Sequence, residues 1–213
     1  MRKSRTVKLV CGVMIVLTIG LVTRLQPVSA EERGTGFSSG VSLGGARFSD
    51  GDMGTGFSGR AFLEYAPYIP EIAVRLSAGY LRFEDEVTLG QGAFRSTEDV
   101  IFEDIYVTGG LIYRFTRGNT VPFLTANAGI YHYRKEDVSS ATGPVIGGVQ
   151  VSPFDTVDSK DGNDFGVNVG GGVEFFLSEN TSLSVELLGH VIFGEVDSQI
   201  FDLTAVFRFF PLR

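Results

Sequence analysis

Residues 165–193 read FGVNVGGGVEFFLSENTSLSVELLGHVIF. In the first half, Phe165, Val167, Val169, Val173 and Phe175 alternate with Asn168, Gly170, Gly172 and Glu174. After the polar stretch 178–182, Leu183, Val185, Leu187 and Val191 alternate with Ser184, Glu186 and His190. A period of two puts one set on each face of a strand, and a short polar link between two such runs is a hairpin. The reading predicts strands over 164–176 and 183–193. One face is apolar; the other is charged, polar or glycine.

The same pattern extends in both directions. It predicts strands over 36–48, 55–65, 72–83, 104–115, 121–133 and 200–210, for example Ile72, Val74, Leu76, Ala78 and Tyr80 against Arg75, Ser77 and Gly79. No segment shows apolar residues sustained at intervals of three and four, as a helix requires. The fold class is therefore all-β, and the expected architecture is an eight-stranded antiparallel up-and-down transmembrane β-barrel. Alternation alone does not say which face points inward, because a soluble barrel alternates too. The connections favour the membrane form. Links at 66–71, 116–120 and 178–182 are short, whereas 84–103 and 134–163 are long and polar, as expected of periplasmic turns opposite outer loops. Links 49–54 and 194–199 are shorter than that pattern prefers. Aromatic residues near strand ends (Phe37, Tyr65, Tyr80, Tyr113, Phe115, Phe175, Phe207, Phe209) suit interfacial girdles.

The N-terminus follows different rules. Arg2, Lys3, Arg5 and Lys8 precede an uncharged apolar run from Leu9 to Val22, and Val28-Ser29-Ala30 supplies small residues before Glu31. This predicts a signal peptide over 1–30 and a barrel domain over 31–213, with 31–35 as a short arm. Cys11, the only cysteine, lies in the apolar run, so the mature chain would carry no thiol chemistry. Removing five basic residues shifts the net charge from −7 for the whole chain to −12. That excludes a basic footprint for nucleic acid.

VPFLTANAGIYHY (121–133), FGVNVGGGVEFFLSENTSLSVEL (165–187) and FDLTAVFRF (201–209) resemble the OmpA/OmpX-like family of eight-stranded outer-membrane barrels. The resemblance spans about residues 35–210 and implies a bacterial outer-membrane protein. Members typically end in an aromatic residue read by the insertion machinery. Here Pro211-Leu212-Arg213 follow Phe210, displacing that signal. No peptidoglycan-binding domain follows the barrel within this sequence, unlike the longer members.

The chemistry-bearing residues lie on the polar face. Glu64, Arg75, Arg114, Glu174, Glu186 and Arg208 fall near the strand ends served by the short turns, three of each sign. An eight-stranded barrel is only wide enough for side chains to fill, and buried charges must pair. These six are expected to form a lumen salt-bridge network that plugs the barrel; the alternative is a small ion-conducting pore. Arg60, Asp202 and His190 are expected higher in the lumen. A membrane-embedded lipid-modifying enzyme of the lipid A deacylase kind is a further alternative. Its serine would follow the histidine closely, but Val191, Ile192 and Phe193 follow His190, and Glu186 supplies no nucleophile. His132 has no obvious partner.

Asp155, Asp158, Asp161 and Asp164 loosely suggest calcium, but their spacing of three is not that of a calcium loop. The runs at Gly109-Gly110 and Gly170-Gly171-Gly172 are not nucleotide motifs, since no helix follows. The expectation is a structural or surface-interaction protein that is not an enzyme, with no cofactor and no metal. Its partners would be outer-membrane lipid and an extracellular ligand or host surface met by loops 84–103 and 134–163. The protein is expected to be a monomer.

Overall fold

The computed structural model describes residues 36–49, 54–67, 69, 71–89, 95–116, 118–142, 145–146, 149–150, 154–194 and 198–210. The proposed signal peptide, the arm and the Pro211-Leu212-Arg213 tail lie outside them. The strands are β1 (Gly36–Phe48), β2 (Thr55–Ala66), β3 (Ile72–Leu89), β4 (Arg95–Arg114), β5 (Thr120–Thr142), β6 (Val145–Ile146), β7 (Val149–Gln150), β8 (Phe154–Phe176), β9 (Thr181–Phe193) and β10 (Ser198–Phe209). Eight of them close in the order β1-β10-β9-β8-β5-β4-β3-β2, every pair antiparallel, while β6 and β7 form a separate small hairpin. Closure is made by β1 against β10, from Ser39 opposite Phe209 to Phe48 opposite Ile200.

The barrel is inside out relative to a soluble one. Outward-facing Leu43, Leu76, Leu111, Leu124 and Leu203 are all more than half exposed, whereas Arg75, Glu174, Glu186 and Arg208 are 0% exposed. Only a lipid surround makes that arrangement favourable. The apolar band is bounded by aromatics at both ends. Phe37 and Tyr65 face each other in register at one end with ring centroids 4.6 Å apart. At the other end Phe165 and Phe193 are likewise paired, at 6.4 Å. Phe57 and Tyr65 lie eight positions apart on β2. This is about 26 Å along the strand, and about 20 Å along the normal at a tilt near 40°, close to the apolar band of such barrels.

Glycine makes room for the large lumen rings. Gly79 stands opposite Tyr106 in the β3–β4 register. A Cβ there would lie 2.2 Å from the Tyr106 ring.

The long loops expected at 84–103 and 134–163 are for the most part strand. The β3–β4 ladder continues to Leu89 opposite Ser96, β4–β5 to Arg95 opposite Thr142, and β5–β8 to Ala141 opposite Phe154. The neighbouring ladders stop earlier, at Phe57 opposite Arg82 and at Phe165 opposite Phe193. Four strands thus stand above the barrel as a sheet reaching about 25 Å past the aromatic ring, at 3.3 Å per residue. Sequence reading missed this because both faces of the extension are polar, which erases the apolar alternation used to find strands. The aspartates at 155–164 are part of β8. In a strand a spacing of three places successive side chains on opposite faces, so Asp158 and Asp161 diverge.

Candidate functional site

The lumen is filled in three layers. At the end nearest the short turns, the β2–β3 register sets Glu64 opposite Arg75, and barrel curvature brings the far wall within reach. Arg75 donates from Nε to Glu64 Oε1 at 2.8 Å and from Nη1 to Glu186 Oε1 at 3.0 Å. Arg114 donates to Glu64 Oε2 at 2.7 Å and to Glu174 Oε2 at 3.2 Å. Arg208 donates to Glu64 Oε1 at 3.0 Å and also pairs with Glu174, which accepts a further hydrogen bond from Ser182. All six expected residues therefore meet in one cluster. Their side chains are 8% exposed or less, and Arg114 is the most exposed.

Two further residues complete the cluster. Arg60, expected higher up, reaches down so that its Nη2 lies 3.0 Å from Glu186 Oε2. Its long side chain spans the levels. Phe62 points inward, 3% exposed, and three guanidinium carbons lie over its ring: Arg75 at 4.7 Å, Arg208 at 5.4 Å and Arg60 at 5.9 Å. The ring face offers the cations a second partner where only three carboxylates serve four arginines. Phe62 has the same parity as Arg60 and Glu64, and parity was the signal that could have found it. At the end served by the short turns, a shallow recess lined by Gly36, Ser38, Ala66, Ala73 and Phe210 ends on Glu64 and Arg114.

The middle layer is a hydrogen-bonded network of polar side chains around Asp202. Ser58 donates to Asp202 Oδ2 at 2.8 Å, and His190 Nε2 lies 3.5 Å from the same oxygen. His190 Nδ1 is 3.0 Å from the Tyr131 hydroxyl, which accepts from Asn168; Asn168 in turn accepts from Asn127 at 2.6 Å. Tyr106 stacks on Tyr131 at 5.1 Å and sets its edge to His190 at 5.4 Å. A hydrolase would need a nucleophile beside the imidazole. In this network the Ser58 hydroxyl is spent on the aspartate, and the imidazole is turned to a phenol. His132 lies outside the lumen, 3.0 Å from Asn163 Oδ1.

The outer layer is apolar. Phe48, Leu81, Phe83, Phe102, Tyr133, Ile192 and Ile200 form one buried cluster across the mouth. Phe48 packs edge-on against Phe83 at 4.5 Å and Phe102 at 5.4 Å. Asp104, 0% exposed, sits among these strands with neither carboxylate oxygen hydrogen-bonded to a described residue. The three layers together line the barrel axis with buried side chains.

Comparison with known proteins agrees with this architecture. The sequence profile described as "Outer membrane protein beta-barrel domain" matches residues 14–209. No curated protein matches in sequence. Among solved structures, the chain is similar to Ail, the attachment invasion locus protein of Yersinia pestis, in complex with the heparin analogue sucrose octasulfate. Identity is 18%, with 82% of this chain and all of that one covered, and the TM-score is 0.49. It is similar to the N-terminal β-barrel domain of Pseudomonas aeruginosa OprF at 18% identity, covering 83% of this chain and 100% of that one, TM-score 0.42. It is similar to the outer membrane enzyme PagL at 14% identity, covering 82% and 99%, TM-score 0.42. The profile match spans most of the chain, so this protein belongs to the outer membrane β-barrel family and resides in the bacterial outer membrane.

Proposed function

We propose that this protein is a surface-interaction protein whose barrel is a sealed anchor and whose working part is the protruding sheet of β3, β4, β5 and β8. The observation that carries the reading is the pair of edges on that sheet. Among the described residues, β2 pairs with β3 no further than Arg82 and β9 with β8 no further than Phe165, although Gly54 lies beside Glu84 at the foot of the β3 edge. A strand without a neighbour offers its backbone N–H and C=O groups to an extended segment of another chain. The lumen supports an anchor over a pore, because charges of both signs are paired across it. The six residues Glu64, Arg75, Arg114, Glu174, Glu186 and Arg208, with Arg60, are proposed as the plug.

The test has two arms. In planar bilayers the purified barrel should be nearly silent; steady conductance at open-pore level would favour the pore. Intact cells displaying the full chain should capture a soluble, permanently unfolded reporter polypeptide. Cells displaying a chain with both protruding hairpins shortened, lacking residues 85–100 and 136–159, should not, although the barrel still shows a heat-modifiable gel shift. Equal capture by both would remove the sheet from the function. Lipid A from cells with wild type and His190→Ala should have the same acyl chains, as expected of a protein that is not an enzyme.

A further inference from the structure

The protruding sheet has a chemical bias that its fold does not require. Over 82–89, 95–103, 134–142 and 154–163 the sequence carries eleven acidic residues against five basic ones. Edge charges guard against unwanted strand pairing, but either sign would do. Moreover, like charges stand directly opposite one another inside the sheet: Glu86 opposite Asp99, and Asp137 opposite Asp158. Such pairs destabilise a ladder. Lys135 lies 3.0 Å from Asp137 Oδ2, while Asp137 Oδ1 has no hydrogen-bond partner among the described residues.

The two edges share the bias. On the β3 edge, Glu84, Asp85 and Glu86 are consecutive, and the Glu86 N–H donates to Asp85 Oδ1 at 3.1 Å, a side chain standing in for a strand partner. On β8, residues 156–161 are exposed on both faces; Asp158 lies on the lumen-side face and Asp161 on the outer one. A strand added beside β8 would set its side chains next to these on both faces.

Resting on the surface-interaction reading above, we infer that the partner is a basic, extended polypeptide segment that adds as a strand to the sheet edge. Backbone pairing supplies the attachment, and lysine or arginine at alternate positions supplies the selection. A cationic strand gains from Asp158 and Asp161 on β8 or from Glu86 on β3, where Glu84 is already paired with Arg82 at 2.7 Å. An acidic strand is repelled. A polyanion such as a sulfated polysaccharide meets charge of its own sign.

The experiment uses the mature full chain folded in zwitterionic detergent and fluorescent peptides of equal length. One peptide alternates lysine and valine, one threonine and valine, one glutamate and valine, one lysine and proline. The lysine–valine peptide should bind best, should weaken markedly as salt shortens the Debye length, and should protect backbone amides of 154–162 from exchange. Asp158→Asn/Asp161→Asn should weaken it about three- to tenfold, the scale of two exposed ion pairs, while threonine–valine binding and the gel shift stay unchanged.

If threonine–valine binds as tightly as lysine–valine, the inference fails and the edge reading survives. If lysine–proline, which cannot pair as a strand, binds as tightly as lysine–valine without amide protection, strand addition fails and the edge reading fails with it. Preference for heparin over the lysine–valine peptide overturns the inference outright.

Discussion

Glu64 and Arg75 stand directly across the β2–β3 ladder, joined at 2.8 Å, and Glu64 simultaneously accepts from Arg114 and Arg208. One carboxylate thus holds three guanidinium groups inside the barrel. Glu64→Gln leaves all three short of charge, and breaking a buried pair costs about 3–5 kcal/mol. Arg114→Met should cost less, because its side chain is the most exposed of the six, at 8%. Asp158→Ala on the outer sheet should change stability by no more than about 0.5 kcal/mol. Urea unfolding followed by gel shift would measure the order. Equal stability of Glu64→Gln and the parent would show that the cluster does not hold the barrel.

Gly79→Ala should destabilise by about 1–3 kcal/mol, because its Cβ would meet only the Tyr106 ring among its nearest neighbours. In a Tyr106→Leu background the penalty should largely vanish. A double-mutant cycle checks this: an unchanged penalty would place the strain in the β3 backbone instead.

Asp104 is a fully buried carboxylate with no donor among the described residues. Its register partners are Leu81 and Tyr133. Asp104→Leu should therefore stabilise the barrel by about 1–3 kcal/mol, the scale of an unsatisfied buried polar group. A loss of stability in the same urea series would show that a solvent molecule or ion holds the carboxylate.

The proposed signal peptide and orientation are tested together. Exported protein should begin at Glu31 on N-terminal sequencing; retention of residues 1–30 would refute cleavage. An epitope inserted between Ile146 and Val149 should be labelled on intact cells. Arg134 and Lys135 are held in the β5–β8 ladder opposite Asp161 and Lys160, so surface trypsin should cut there slowly. Labelling only after permeabilisation would invert the barrel.

Strand positions were legible wherever one face was apolar. The expected run 36–48 coincides with β1, and 183–193 falls two residues short of β9 at its start. Legibility ended where lipid ended. Beyond Phe83 on β3 and Tyr133 on β5 both faces are largely polar, so Glu84, Asp85 and Glu86 read as loop although they are paired with β4. Of the lumen cluster, the six charges were legible by parity and by distance from the short turns. Phe62 was not, because an inward phenylalanine breaks the polar pattern; Arg60 was legible as a lumen residue but its level was not, because a long arginine crosses levels that strand position cannot resolve.

The sequence by itself determined the period, the side of each residue and the sign of each charge, because these follow from local backbone geometry. Only the tertiary structure decided which groups meet. Glu64 on β2 reaches Arg208 on β10, and Arg75 on β3 reaches Glu186 on β9, because β1 and β10 close the sheet and curve its walls together across a narrow lumen. It also decided that Ser58 bonds Asp202 and not His190, and that four strands outlast their neighbours to leave open edges. These contacts depend on barrel closure and stagger, which join residues distant in sequence and leave no periodic trace in it.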